Sequence, residues 1–296
     1  MQLKKNAGRG RAVAEVDRGI VLSQPVGFVS VSPLLILLGI FFFGPIVALT
    51  LAVLDGGLQE ASDLFSTVLT DKVFQTVALR TIRISLIVTL ISVVVGYAMA
   101  YAIWRSSRTV RSIALGLIMF PLFTSIVVRT YAWTALFNRY GVINTLLLET
   151  GLIDQPLAML NTEPVVLVGM VQAMLPFAIL PIYTILLGLD LDLLRASAIC
   201  GARGRQTFLK VVLPLTKQGA GVAAVLVFVI SLGFYITPAI LGGPRSAMIS
   251  NLISTEVTTF YNLKGGAVMS VLLLAVTLCL LYIAGKIGSI AAHYRR

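Results

Sequence analysis

The side chains that ordinarily carry chemistry are scarce and badly placed for it. The single histidine, His293, lies in a basic terminal tail, so a histidine metal cluster or catalytic dyad is excluded. Cys200 and Cys279 have no metal-like spacing and suggest no disulfide framework. No Gly-x-x-x-x-Gly-Lys-Ser/Thr phosphate loop occurs, so nucleotide is not held by the usual backbone cradle. Charge inside apolar segments is the remaining functional signal, because burying it in hydrocarbon is costly. Only Arg129 stands well inside such a segment, and none of the apolar cores contains Asp or Glu. That weighs against a proton or sodium relay. Arg129 lies about 17 residues, or ~26 Å of helix, from the start of its segment. It is therefore a candidate for a pathway or gate, with snorkelling to an interface as the structural alternative.

Aromatic and proline residues complete the candidate set. Tyr131 and Trp133 fit an interfacial aromatic belt or the mouth of a pathway. Tyr183, Phe234 and Tyr235 could offer aromatic faces to a cation, with packing as the alternative use. Pro176 and Pro238, like Pro181 and Gly233, free backbone carbonyls that neighbours, water or a ligand must satisfy.

The elements that hold these residues follow from composition. The chain has 296 residues, 58% hydrophobic and 12% charged, with a mean hydropathy of +0.97. It is too apolar for a soluble globule. Six stretches are long enough to cross a ~30 Å hydrocarbon core: residues 29–54, 81–104, 112–137, 164–189, 214–241 and 266–288. The expected fold is all-α, a polytopic transmembrane helical bundle of about six spans, because lipid gives an open backbone no partner. The formal charge of +11 suits a cytoplasmic membrane face better than nucleic acid. With the N-terminus inside, sixteen Lys/Arg fall on cytoplasmic segments and six outside, which places both termini in the cytoplasm. The expected organisation is a tail over 1–28, a six-span domain over 29–288 with a cytoplasmic loop at 190–217, and a tail over 289–296. Leu64, Phe65, Val68, Leu69 and Val73 predict an amphipathic surface helix within residues 55–80. The outer loops are slightly acidic, with Glu60, Asp71, Glu163 and Glu256 among their carboxylates.

The loop at 190–217 has internal order. Leu191, Leu194 and Ala198 share one helical face, Gly201 offers a helix end, and Phe208, Val211 and Leu215 resume the periodicity. Such a helix could insert into a groove on a cytosolic partner or rest on lipid headgroups. The residues alone leave both readings open, and with them a stand-alone channel or ion-coupled carrier.

Ala196, Gly201, Phe208, Leu213 and Pro214 resemble the EAA loop of binding-protein-dependent ABC importer permeases. Arg195 stands where that pattern has Glu, and Ser197 where it has the second Ala. Over residues 80–290 the chain resembles the spermidine/putrescine branch, on Pro121-Leu-Phe-Thr-Ser-Ile-Val-Val-Arg-Thr-Tyr-Ala-Trp133, Gly141-Val-Ile-Asn144, Gly151-Leu-Ile-Asp154 and Phe234-Tyr-Ile-Thr-Pro-Ala-Ile-Leu-Gly-Gly243. The resemblance implies a type I importer permease in the bacterial inner membrane, carrying a small amine such as spermidine or putrescine. It implies docking of an ATPase subunit on Leu194, Arg195, Ala196, Ser197, Gly201, Ala202, Phe208, Leu213 and Pro214. The implied partners are a cytosolic ATP-binding subunit dimer, a second homologous permease subunit and an extracytoplasmic substrate-binding protein. ATP and Mg would then belong to the ATPase, with no cofactor in this chain.

Overall fold

The computed structural model describes residues 24–293, so most of the expected N-terminal tail and the last residues of the C-terminal one lie outside it. Among the described residues every regular element is helical. The chain divides into two compact units, residues 1–55 and 56–296. The first contains α1, Gln24–Leu54, apolar on every side and carrying Pro33 and Pro45. A helix with no polar face suits lipid as its solvent.

The second unit begins with α2, Gly57–Thr70, which carries Leu64, Phe65, Val68 and Leu69 of the expected surface helix. The expected helix was too long, since Val73 belongs to the next element. Asp71 is extended (φ −66°, ψ 121°), and its carboxylate accepts from the N–H groups of Val73 and Phe74 at 3.1 and 3.2 Å. This N-cap starts α3, Lys72–Arg105, whose 34 residues make ~51 Å of helix, well beyond the hydrocarbon thickness.

The expected third span, 112–137, is not one helix. After α4, Arg108–Met119, the chain tightens into a 3-10 turn at Phe120–Phe123 and then extends at Thr124 and Ser125. Helix resumes as α5, Ile126–Phe137, and α6, Val142–Glu149, and the two halves are bent by 100°. Pro121 supplies no N–H to the preceding turn, while the Thr124 hydroxyl donates to the Pro121 carbonyl at 3.0 Å. The continuous apolar run conceals this break.

Two further long helices complete the core: α7, Glu163–Leu187, and α9, Gly204–Leu232, joined through α8, Leu191–Ile199. The expected fifth span, 214–241, also needs correction. Its helix starts ten residues earlier and stops at Leu232, because Gly233–Tyr235 interrupt it before α10, Ile236–Leu241. After a 3-10 turn at Pro244–Ser246 come α11, Ile249–Thr258, and α12, Leu263–His293. Ile84 and Val88 of α3, Met170, Ile179 and Ile182 of α7, and Ala223 and Val227 of α9 form one buried core. Small residues set the spacing. A Cβ on Gly96 would lie 2.9 Å from that of Ala178, and one on Gly219 would lie 3.1 Å from the Ile182 backbone. Without a hydrophobic drive between helices in lipid, such close approach supplies the packing. Tyr97 and Thr216 add a buried hydroxyl bond from α3 to α9.

Candidate functional site

The loop between α7 and α9 is built largely from its own bonds. The Asp190 carboxylate accepts from the Asp192 N–H at 2.9 Å and caps α8. At the other end Gly201 N–H donates to Ala198 O at 3.0 Å, and Ala202 N–H donates to Ser197 O at 3.1 Å. These two bonds and φ = +73° at Gly201 form a Schellman C-cap, in which the left-handed position favours glycine. The same device ends α6 at Gly151 (φ +69°). Ser197 and Thr207 hydroxyls meet at 3.1 Å, and Gln206 accepts from Arg203 N–H at 3.0 Å. Helix, break and helix are thus fastened together.

α8 has two unlike faces. Leu191, Leu194 and Ala198 turn toward a cavity of about 760 Å³ whose other walls include Tyr101, Trp104, Arg105 and Arg111. Arg195, Ala196, Ile199 and Cys200 are exposed, Ile199 at 87%. Arg195 pairs with Asp192 at 2.8 Å, both side chains about three-quarters exposed (75% and 76%). The loop therefore supplies its own counter-ion to the residue that replaces glutamate. A Cβ on Gly201 would meet nothing of this chain within 4 Å, so only its backbone conformation is required internally.

The nine residues expected to dock a partner fall into two groups. Arg195, Ala196, Gly201, Leu213 and Pro214 are exposed, whereas Leu194, Ser197, Ala202 and Phe208 are half-buried. Phe208 stacks edge-on against Tyr97 and Tyr101, with centroids 5.9 and 4.8 Å apart. It joins the loop to α3. The segment Phe208–Val212 is π-helical, and Leu213 N–H donates to Phe208 O. The wide turn adjoins Pro214, which has no N–H to continue the α-helical ladder.

The residues expected to line a pathway are spread over α5, α7, α10 and the break after α9. Pro176, Tyr183 and Pro238 are buried in packing, and α7 runs through Pro176 and Pro181 unbroken. Trp133 stacks on Phe137 with centroids 5.5 Å apart, while Tyr131 and Tyr235 are exposed. Phe234 and Tyr235 occupy the break after α9, and their carbonyls accept from Ser250 and Asn251 of α11 at 2.7 and 3.1 Å. Arg129, half-buried in the first turn of α5, has buried Nε and Nη1 atoms with no acceptor among the described residues. α5 meets α10 beside it through Thr130 and Thr237, whose hydroxyls are 3.4 Å apart.

Several structural roles escaped the sequence reading. Arg80 donates to the carbonyls of Pro244 and Ala247 at 3.2 and 3.4 Å. The Thr81 hydroxyl accepts from Ile249 N–H at 2.9 Å, Arg83 pairs with Glu163, and Lys264 pairs with Glu60 at 2.6 Å. Glu256 accepts from Asn262 at 3.0 Å. Glu60, Glu163 and Glu256, three of the carboxylates expected outside, are therefore partnered within the chain. Asn144 is wholly buried and holds the 150s loop, exchanging bonds of 2.9 and 3.0 Å with Leu157. The motif Gly141–Asn144 carried that signal, since a Cβ on Gly141 would lie 2.5 Å from Ala135 O.

A family described as the binding-protein-dependent transport system inner membrane component matches residues 92–287, spanning α3 to α12 and the whole loop. The chain belongs to this family. It is the permease of an ABC importer in the inner membrane, and its all-helical fold is that of such permeases. The permease is 31% identical over 224 residues to the spermidine/putrescine transport system permease protein PotB of Haemophilus influenzae, covering 75% of this chain and 78% of that protein. It is 32% identical over 221 residues to the inner membrane ABC transporter permease protein YdcU of Escherichia coli, covering 70% and 69%. A similar solved structure is that of a bacterial alginate ABC transporter in complex with an alginate pentasaccharide-bound periplasmic protein. It covers 87% of the permease and 91% of the matching chain, with a TM-score of 0.72 at 19% identity, a likeness of fold. Nothing in these likenesses favours an ion-coupled carrier or a channel.

Proposed function

We propose that this permease imports a polyamine of the spermidine or putrescine kind and takes its drive from an ATPase subunit docked on the exposed face of α8. One observation carries the docking: a capped, internally bonded helix presents Ala196, Ile199 and Gly201 outward while Phe208 links its base to α3. A helix presented in this way suits a groove on a partner. Movement of the partner would then reach α3 and α9 together through the Phe208 cluster. The polyamine class is supported by the likeness to PotB.

The ATPase is a dimer that holds ATP and Mg, and a second homologous permease subunit completes the pathway. An extracytoplasmic binding protein delivers the substrate. Both termini are cytoplasmic, in line with the Lys/Arg asymmetry. Arg129, Tyr131 and Trp133 of α5, with Phe234 and Tyr235 at the break after α9, form the gate region. The two access states must differ in affinity for substrate, because a ligand that binds both equally shifts nothing.

The test is ATP-dependent uptake of spermidine and putrescine by the complete transporter in proteoliposomes, with copurification of the ATPase as a second readout. Replacing Ile199 with Asp on the exposed face should release the ATPase and abolish uptake while the permease stays inserted. Retention of the ATPase by both this variant and a deletion of residues 193–205 would refute docking. ATP-driven uptake of some other solute, without competition by either polyamine, would refute the substrate assignment.

A further inference from the structure

The cavity behind α8 is neither the exposed docking face nor part of the gate region. Its walls are the end of α3 (Tyr101, Trp104, Arg105), Arg111 of α4, Leu187 at the end of α7 with Leu189 just beyond it, the inner face of α8, and Ala202 with the start of α9. Two guanidinium groups and no carboxylate line it. Arg105 lies over the Tyr101 ring at 5.9 Å. Arg111 spends Nη2 on capping α3, donating to the carbonyls of Trp104 and Ser106 at 2.7 and 3.3 Å. Its Nε is buried with no acceptor among the described residues, and a donor left so costs about 1–3 kcal/mol, more when charged. Neither arginine has an ion-pair partner among the described residues.

From these walls we infer that the cavity is a binding site for an anionic phospholipid of the inner leaflet. The phosphate accepts from Arg105 and Arg111, and the acyl chains leave along Leu187, Leu189 and Leu191. Three features select a lipid. At about 760 Å³ the cavity falls in the ordinary range of small-molecule sites, about 300–1,000 Å³, and is far larger than an inorganic anion needs. Apolar leucines adjoin the two cations, the division of an amphiphile. Tyr101 and Trp104 sit at the end of a span, at the depth where aromatic side chains meet headgroups and basic pockets between helices take lipid phosphates. The bound lipid wedges between α8 and the α3–α4 turn and positions the loop. It acts on the inner face while a partner occupies the outer one.

The inference rests on the cytoplasmic placement of the loop in the proposed function, but lipid binding is read separately from transport. Phosphatidylglycerol is added to the delipidated complete transporter and retained lipid is counted by native mass spectrometry, alongside ATPase activity and uptake in nanodiscs or liposomes with and without it. The expected result is saturable binding of phosphatidylglycerol, weakened about tenfold in Arg105→Gln, the loss of a charge-assisted contact. Arg105→Gln leaves the Arg111 cap of α3 intact, and Arg105→Lys should restore part of the binding. Loss of this binding should remove the stimulation of coupled uptake by anionic lipid. Equal affinity in wild type and Arg105→Gln overturns the inference. Displacement by inorganic phosphate at concentrations matching the lipid overturns it in favour of a free-anion site. Full coupling with no anionic lipid retained overturns it in favour of a side chain from the ATPase. Failure of docking with lipid binding intact would count against the proposed function alone.

Discussion

The two ends of the permease are held by different kinds of bond. At the end away from the loop, Arg80, Thr81, Arg83 and Lys264 make contacts that reach 80 to 204 residues along the chain. At the loop, Asp190, Asp192, Ser197 and Ala202 bond to neighbours within ten residues. Long-range ties lock one helix to another, whereas local bonds make a unit that keeps its shape when it moves. The end away from the loop is therefore built to hold a constellation, and the loop to travel as one piece with Phe208 as its attachment.

The largest effect should come from breaking that attachment. Phe208→Ala removes the ring between Tyr97 and Tyr101 and should cost about 2–3 kcal/mol. Thermal unfolding in detergent would measure the loss, and ATP hydrolysis without uptake would accompany it. An unchanged melting temperature would show that the loop is anchored elsewhere. Thr81→Val follows, leaving Ile249 N–H without its acceptor for about 1–3 kcal/mol. It should raise hydrogen exchange at the start of α11 and leave α8 unchanged; an effect spread over both ends would erase the contrast.

Gly201→Ala should cost about 1 kcal/mol through the left-handed backbone alone, since its Cβ meets open space. Gly201→Asn should cost less, because asparagine tolerates that conformation. If Asn keeps the fold but uncouples ATPase from uptake, a partner surface lies against Gly201. Coupling that follows the stability of the two variants would assign the glycine to the backbone only. The smallest effect belongs to Arg195→Ala. An exposed pair three residues apart contributes a few tenths of a kcal/mol, so stability should hold within the error of a denaturant titration. A large drop would mean that Asp192 and Arg195 do more than satisfy one another.

The loop was the most legible part of the molecule. The Leu191, Leu194 and Ala198 face and Gly201 are local signals, and the helix they mark is the one observed. Five of the six expected spans contain a long helix, because hydropathy reports exposure to lipid directly. The failures arise where apolar composition hides geometry. Residues 112–137 read as continuous, yet Pro121 and the Thr124–Ser125 pair break them, and Gly233 ends α9 well short of Leu241. The long-range ties were illegible for another reason. Arg80 and Thr81 find their acceptors and donors more than 160 residues away, and Asp71 resembled any surface carboxylate until its place before α3 was known. The packing of Phe208 on Tyr97 and Tyr101 had no local signal, because those rings come from a different helix.

The π-helical stretch Phe208–Val212 fixes the phase of α9. Each residue of an α-helix advances the side chains by about 100°, and one wider turn resets that count for everything downstream. Thr216, Gly219, Ala223 and Val227 lie on the buried side of α9 in part because of this offset. The wide turn absorbs one surplus residue, so loss of one residue within 208–212 lets the segment close into α-helix with the stripe still facing α7, whereas loss of one residue from the regular helix after Val212 would rotate everything beyond it by about 100°. A one-residue change of length is therefore tolerated better at this segment than anywhere else along α9.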